Sequence, residues 1–166
     1  MDVTELAERI SELPLASAIR TGSPWQWTFP TLETVHVIAI ATVFGSIVLV
    51  DVRLLGLGQL GRRVSRCSAE LLPLTWTAFT LAAVTGSLLF ISHAPDYVVN
   101  RQFLLKMGII LLAGLNMLVF QRGIYRRVDQ WDTQVPPPAA ARIAGVVSLV
   151  CWTAAVFLGR WIGFTT

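Results

Sequence analysis

Residues 34–50 read TVHVIAIATVFGSIVLV, an unbroken run from Thr34 to Val50 without a formal charge. A helix needs about 20 mostly apolar residues to cross about 30 Å of hydrocarbon, and over such a length only a helix satisfies its own backbone in lipid. Taken out to its polar flanks, this run makes a first span from about Pro30 to Leu57. Working outward, three more stretches qualify: about Leu71–Pro95 with no formal charge, about Val99–Gln121, and about Ala140–Phe164, uncharged from Ile143 to Gly159. Ala41 with Gly45, Ala82 with Gly86 and Ala144 with Ser148 are small residues four apart, which let helix backbones approach closely.

The segment before the first span is different. Asp2 and Glu5 have capping-box spacing, and Val3, Leu6, Ala7, Ile10 and Leu13 mark one apolar face. Pro14 interrupts this pattern and Gly22 ends it, while Trp25 and Trp27 suit the depth of the headgroups. The segment is too acidic and its apolar run too short for a signal peptide. The expected architecture is therefore all-α and integral to a membrane. Residues 1–29 form an amphipathic surface helix and linker, and residues 30–166 form an antiparallel bundle of four spans.

Composition agrees. Of 166 residues, 54% are hydrophobic and 14% charged, and mean hydropathy is +0.64. Soluble domains carry about 25% charged residues. Two cysteines, Cys67 and Cys151, exclude a disulfide scaffold, and the spans keep them apart. The basic pI of about 9.4 does not indicate nucleic acid, because Lys106 is the one lysine and no Lys/Arg tract forms.

The basic residues instead report topology. Arg53, Arg62, Arg63, Arg66, Arg122, Arg126, Arg127 and Arg142 flank two loops, against Arg9, Arg20, Arg101, Lys106 and Arg160 on the other side. The positive-inside rule places the two arginine-rich loops in the cytoplasm, and so both termini outside, in the periplasm of a bacterial cytoplasmic membrane. Val135-Pro136-Pro137-Pro138 is a stiff stop before the last span.

Ionisable residues inside spans are costly and often functional. His36 lies about two turns into span one, His93 near the end of span two, and Lys106 about two turns into span three. Glu33, three residues before His36, shares its helix face. These groups converge on the outer end. His36 and His93 are candidate ligands for haem, copper or zinc, or histidines bonded to a neighbouring helix. Lys106 is a proton carrier, a partner for a propionate, or a snorkelling cation paired with Glu33. At the other end Asp51 pairs most simply with Arg53 or Arg122 to fix span ends, and Asn116 serves as interhelical glue. P-loop, GxGxxG and serine-elbow motifs are absent.

Glu33-Thr34-Val35-His36-Val37-Ile38, continuing through Phe44-Gly45 to Val52-Arg53-Leu54, resembles the opening helix of HemJ-type protoporphyrinogen oxidases and copper-resistance D-type (CopD-like) membrane proteins. Asn100-Arg101-Gln102-Phe103-Leu104-Leu105-Lys106-Met107, through Asn116 to Gln121-Arg122, is similar to their lysine-bearing helix. The resemblance covers spans one to three, and the chain is closest to an uncharacterised group of bacterial four-span proteins. It implies haem b on His36 and carries the lysine's role to Lys106. The expected function is a haem b electron-transfer subunit beside a redox partner, with His93 the candidate second ligand, Lys106 or Arg101 a propionate partner, and the lipid bilayer as the surrounding solvent. The alternatives are a copper-handling protein using the same histidines, and a cofactor-free structural subunit.

Overall fold

The computed structural model describes residues 2–22, 24–57, 63–132 and 136–165. Arg62 of the first arginine-rich loop and Val135 before the prolines lie outside the described residues. The helices are α1 Val3–Ser11, α2 Pro14–Thr21, α3 Thr28–Leu54, α4 Val64–Ser92, α5 Ala94–Val99, α6 Arg101–Val119 and α7 Ala139–Ile162. Four of them, α3, α4, α6 and α7, are long and apolar enough to cross a membrane. After α6 the chain widens into a π-helical turn, Phe120–Ile124, then tightens into a 3₁₀ segment, Tyr125–Gln130.

Burial is inverted relative to a water-soluble bundle. Ala39, Val43, Ala82, Ala113, Ala144 and Ala155 are buried, while Leu49, Leu111, Val150 and Phe157 face outward. Lipid tails are as apolar as leucine, so large side chains gain little by turning inward, and small ones bring backbones together. Several hydroxyls in the spans are satisfied by their own helix: Thr42 donates to the Ile38 carbonyl at 2.9 Å and Thr77 to that of Pro73 at 2.8 Å.

Helix α3 packs on α4 and on α7, and α7 packs on α6. Among the described residues α4 and α6 share no close backbone approach, so the spans form a row, α4–α3–α7–α6, curled round a gap. At one end stacked rings bridge this gap: Phe90 of α4, Tyr97 of α5 and Phe103 of α6 lie 5.3–6.2 Å apart. The other end is floored by an apolar cluster of Leu54, Val64, Val128, Trp131 and Ala141. The first is the histidine end, the second the arginine end.

The boundaries depart from the expected ones in instructive ways. Span two begins at Val64, not Leu71, and takes in Arg66 and Glu70, which pair with each other at 2.9 Å. No side chain next to Val64 caps this helix. The cap comes from Asp132, whose carboxylate accepts from the Ser65 backbone N–H at 2.9 Å and from the Ser65 hydroxyl. Span two ends at Ser92, and span one ends at Leu54, where Gly56 takes a φ of 76° and turns the chain out of the helix. The single surface helix expected at the N-terminus is two helices broken at Pro14. They pack on the bundle, α1 against α5 and α2 against α4, and Arg20 donates to the Ser92 carbonyl at 3.3 Å.

Candidate functional site

At the histidine end, His36 of α3 points at α4. Its Nδ1 lies 3.0 Å from Thr85 Oγ1, and the Thr85 hydroxyl donates to the Leu81 carbonyl at 2.7 Å. The hydroxyl proton being committed, Nδ1 carries the donor. The ring edge meets Gly86: a β-carbon there would stand 2.8 Å from Cε1 and 3.6 Å from Nε2. A glycine is therefore required where the imidazole crosses α4. Lys106 follows the same rule on the other pair of helices. Its Nζ would stand 3.4 Å from a β-carbon on Gly159 of α7, and its charge is felt at His36. His36 and Lys106 thus each lie on a glycine of the neighbouring helix.

The other expected members of this cluster are placed differently. Glu33 is exposed and makes no ion pair with Lys106; the ion pairs among the described residues are Arg9–Glu5 and Arg66–Glu70. Lys106 is instead drawn across to α7. Burial, with the Glu33 and Asp96 carboxylates nearby, pushes the Tyr97 phenol above its ordinary value. His93 sits in the break between α4 and α5, with Nδ1 3.0 Å from Ser92 Oγ and its ring edge-on to Phe29 at 5.4 Å. It lies seven residues past Gly86, about 10 Å further along α4, so it does not face His36. Arg101 is exposed at the start of α6. Among the described residues no three His, Cys, Asp or Glu side chains gather as a metal site.

The arginine end holds a cavity of about 170 Å³ between all four spans. Its wall includes Asp51 of α3, Thr75, Trp76 and Phe79 of α4, Tyr125, and Ser148 and Trp152 of α7. Asp51 is only 4% exposed. The expected pairing of Asp51 with Arg53 or Arg122 is not formed. Residues two apart on a helix point to different faces, and Arg53 reaches instead towards the Asp132 carbonyl at 3.4 Å. Arg122 is exposed on the π-helical turn. The carboxyl of Asp51 meets the Ser148 hydroxyl. Its Oδ2 is the buried side-chain polar atom left without a hydrogen-bond partner among the described residues.

Packing explains why Asp51 stays there. Gly145 brings α7 so close that a β-carbon on it would stand 3.3 Å from the Asp51 carbonyl oxygen and from Leu54 Cβ. Ser148, three residues on, shares that face. Asn116 Nδ2 donates to the Ala144 carbonyl at 3.0 Å and ties α6 to α7 beside the cavity. Sequence reading missed this wall because Ala144 and Ser148 register only as a packing pair. The available signal was Gly145 and Ser148 on one face opposite an acid.

Below the cavity, Asp132 caps α4 from the loop before α7. Burial alone would raise its carboxyl, but the donors of Ser65 and Val64 and the nearby Arg63 charge outweigh that and hold it below the usual carboxylate range.

Helices and site define a four-span, all-α integral membrane protein with one plugged end and one hollow end. The chain matches, over residues 22–165, a family described as a family of unknown function (DUF6644), and it belongs to that family. The likeness of this multi-span chain to HemJ-type and CopD-like proteins remains a likeness of spans. No curated protein matches the chain, and no solved structure does either.

Proposed function

We propose that this protein binds a small molecule, about one aromatic ring in size, between its spans at the arginine end, with Asp51 as the polar anchor. The observation that carries this is the unpartnered Asp51 Oδ2 in the wall of the cavity. A buried polar atom without a partner costs about 1–3 kcal/mol, and the void beside it forfeits packing. A ligand that supplies a donor and fills the space offsets both. The size matches: an apolar cavity of about 150 Å³ takes a benzene. The test is thermal unfolding of the detergent-purified protein with phenol and, separately, benzylammonium. At least one should raise the Tm of wild type and leave Ala113→Leu unmoved, because the added carbons fill the cavity that Ala113 lines. No shift with either probe would sink this reading.

Haem b on His36, in an electron-transfer subunit, is the second reading. It is favoured by the Thr85 bond, which orients the ring and leaves Nε2 as the ligating nitrogen. The donor chemistry fits, and the Cε1 edge of the same ring lies against α4 at Gly86. Copper has less support, since His36 and His93 do not share a site. A visible spectrum before and after dithionite tests both cofactors: a Soret band lost in His36→Gln would restore the haem reading.

The protein is further proposed to sit in a bacterial cytoplasmic membrane with its arginine end in the cytoplasm, on the charge bias of the loops. A C-terminal alkaline phosphatase fusion should be active and a fusion after Arg66 inactive; the reverse pattern inverts the orientation.

A further inference from the structure

We infer that the molecule taken by the Asp51 cavity is a small organic cation, an ammonium on an aromatic body, and that it enters in exchange for a proton. The inference rests on the ligand-binding reading above and names its chemical class.

The wall selects the charge. Among the described residues Asp51 Oδ2 is the fully buried side-chain polar atom of the wall without a partner, while Thr75 Oγ1 bonds Ser46 Oγ and the Leu71 carbonyl, both at 2.8 Å, and Asn116 Nδ2 bonds the Ala144 carbonyl at 3.0 Å. Ser148 is spent on Asp51 itself. The open valence of the cavity is therefore a carboxylate oxygen, which asks for a donor. Among the described residues no cation pairs with it. Arg53 reaches towards Asp132, Arg122 and Arg142 are exposed, and Arg66 of α4 pairs with Glu70. Tyr125 is the other ionisable side chain in the wall. Once the carboxyl proton has left, a neutral donor would satisfy the oxygen and leave a buried negative charge uncompensated, whereas an ammonium answers both.

The remainder of the wall suits the same ligand. Trp76, Phe79 and Trp152 stand on two helices, with Phe79 edge-on to Trp76 at 6.0 Å and to Trp152 at 6.4 Å. Aromatic faces attract organic cations and accept apolar bodies. An inorganic cation is a poor match, since hard metal ions want six or more oxygens and this wall offers one carboxylate. Anionic ligands are repelled by that same group.

Occupation of Asp51 Oδ2 by a proton and by an ammonium is mutually exclusive. Loading breaks the carboxyl O–H bond, releases the proton to solvent, and leaves a carboxylate bonded to the ammonium N–H. One positive charge leaves as one enters, so the buried site stays neutral throughout.

The experiment is isothermal titration of the detergent-purified full chain with benzylammonium, in two buffers of different ionisation enthalpy, with phenol as the neutral probe. Benzylammonium should bind with release of a proton and more tightly as pH rises. Asp51→Asn should weaken it about 10- to 100-fold, the range expected for a charged hydrogen bond. Ala113→Leu, which keeps the carboxylate and fills the cavity, should abolish it and stands in if Asp51→Asn fails to fold. Binding of phenol alone would overturn the cation and leave the cavity reading standing. Equal binding of benzylammonium to wild type and Asp51→Asn, or binding without proton release, would overturn the exchange. Binding of neither probe would overturn both readings.

Discussion

The two ends of the bundle hold the same kinds of residue and treat them in opposite ways. At the histidine end, the imidazole of His36 is bonded to Thr85, and His36 and Lys106 each press on a glycine of the neighbouring helix, Gly86 and Gly159. Rings of Phe90, Tyr97 and Phe103 close the space between α4 and α6. At the arginine end the same two helices stand apart, the space is open, and a carboxylate oxygen within it has no partner. The difference separates structural polarity from available polarity. A polar group in a membrane is informative for function when the protein has left it unanswered.

The largest effect expected from breaking this contrast is at Gly86. An alanine there puts a methyl group 2.8 Å from His36 Cε1, so the ring must move and the Thr85 bond is lost. Gly86→Ala should destabilise by about 2–3 kcal/mol, from overpacking and a broken buried bond together. Gly45 has open space around its β-position, and Gly45→Ala should be near neutral. Equal Tm values for the two variants would mean that the histidine end is not close-packed.

Asp51 should respond with the opposite sign. If it is unanswered rather than structural, Asp51→Leu removes the orphan oxygen and fills part of the void, stabilising by about 1–2 kcal/mol while removing ligand binding. A marked fall in Tm would instead make Asp51 a structural residue.

Asp132 offers a smaller and pH-dependent effect. Its carboxyl is held low in the folded protein, so its stabilisation is fully present above the ordinary carboxylate value of about 3.9. It is lost as pH falls through the lowered folded value. Asp132→Ala should cost about 1 kcal/mol at neutral pH, as for a lost helix cap, and converge with wild type in acid. A difference that does not shrink as pH falls would show that the carboxylate is not what holds α4.

An effect of similar size, about 1 kcal/mol by thermal unfolding, is expected for Thr85→Val, because the imidazole loses one acceptor but keeps its seat on Gly86. No change at all would mean that the glycine alone places His36.

The four spans were legible because uncharged runs such as 34–50 admit no other structure in lipid. The start of α4 was not, since its cap is remote in sequence and only local caps can be recognised from a string. Asp51 was misread because an acid two residues from an arginine suggests a pair, although side chains so spaced on a helix diverge. The glycines under His36 and Lys106 were visible only as small residues. What rests on them depends on which helix lies opposite, and that is set by the curled row of spans.

The remote cap has a consequence for how the chain is made. Ser65 and Asp132 are separated by 67 residues. At a ribosomal rate of roughly 5–20 residues per second, about 3–13 s pass between synthesis of the α4 N-terminus and arrival of its cap. During that interval the first turn of α4 has unanswered backbone donors at the arginine end, next to the place where the cavity forms. The second span is therefore completed only after the third has been made, and a ribosome paused between them would hold a nascent chain whose α4 frays at its start.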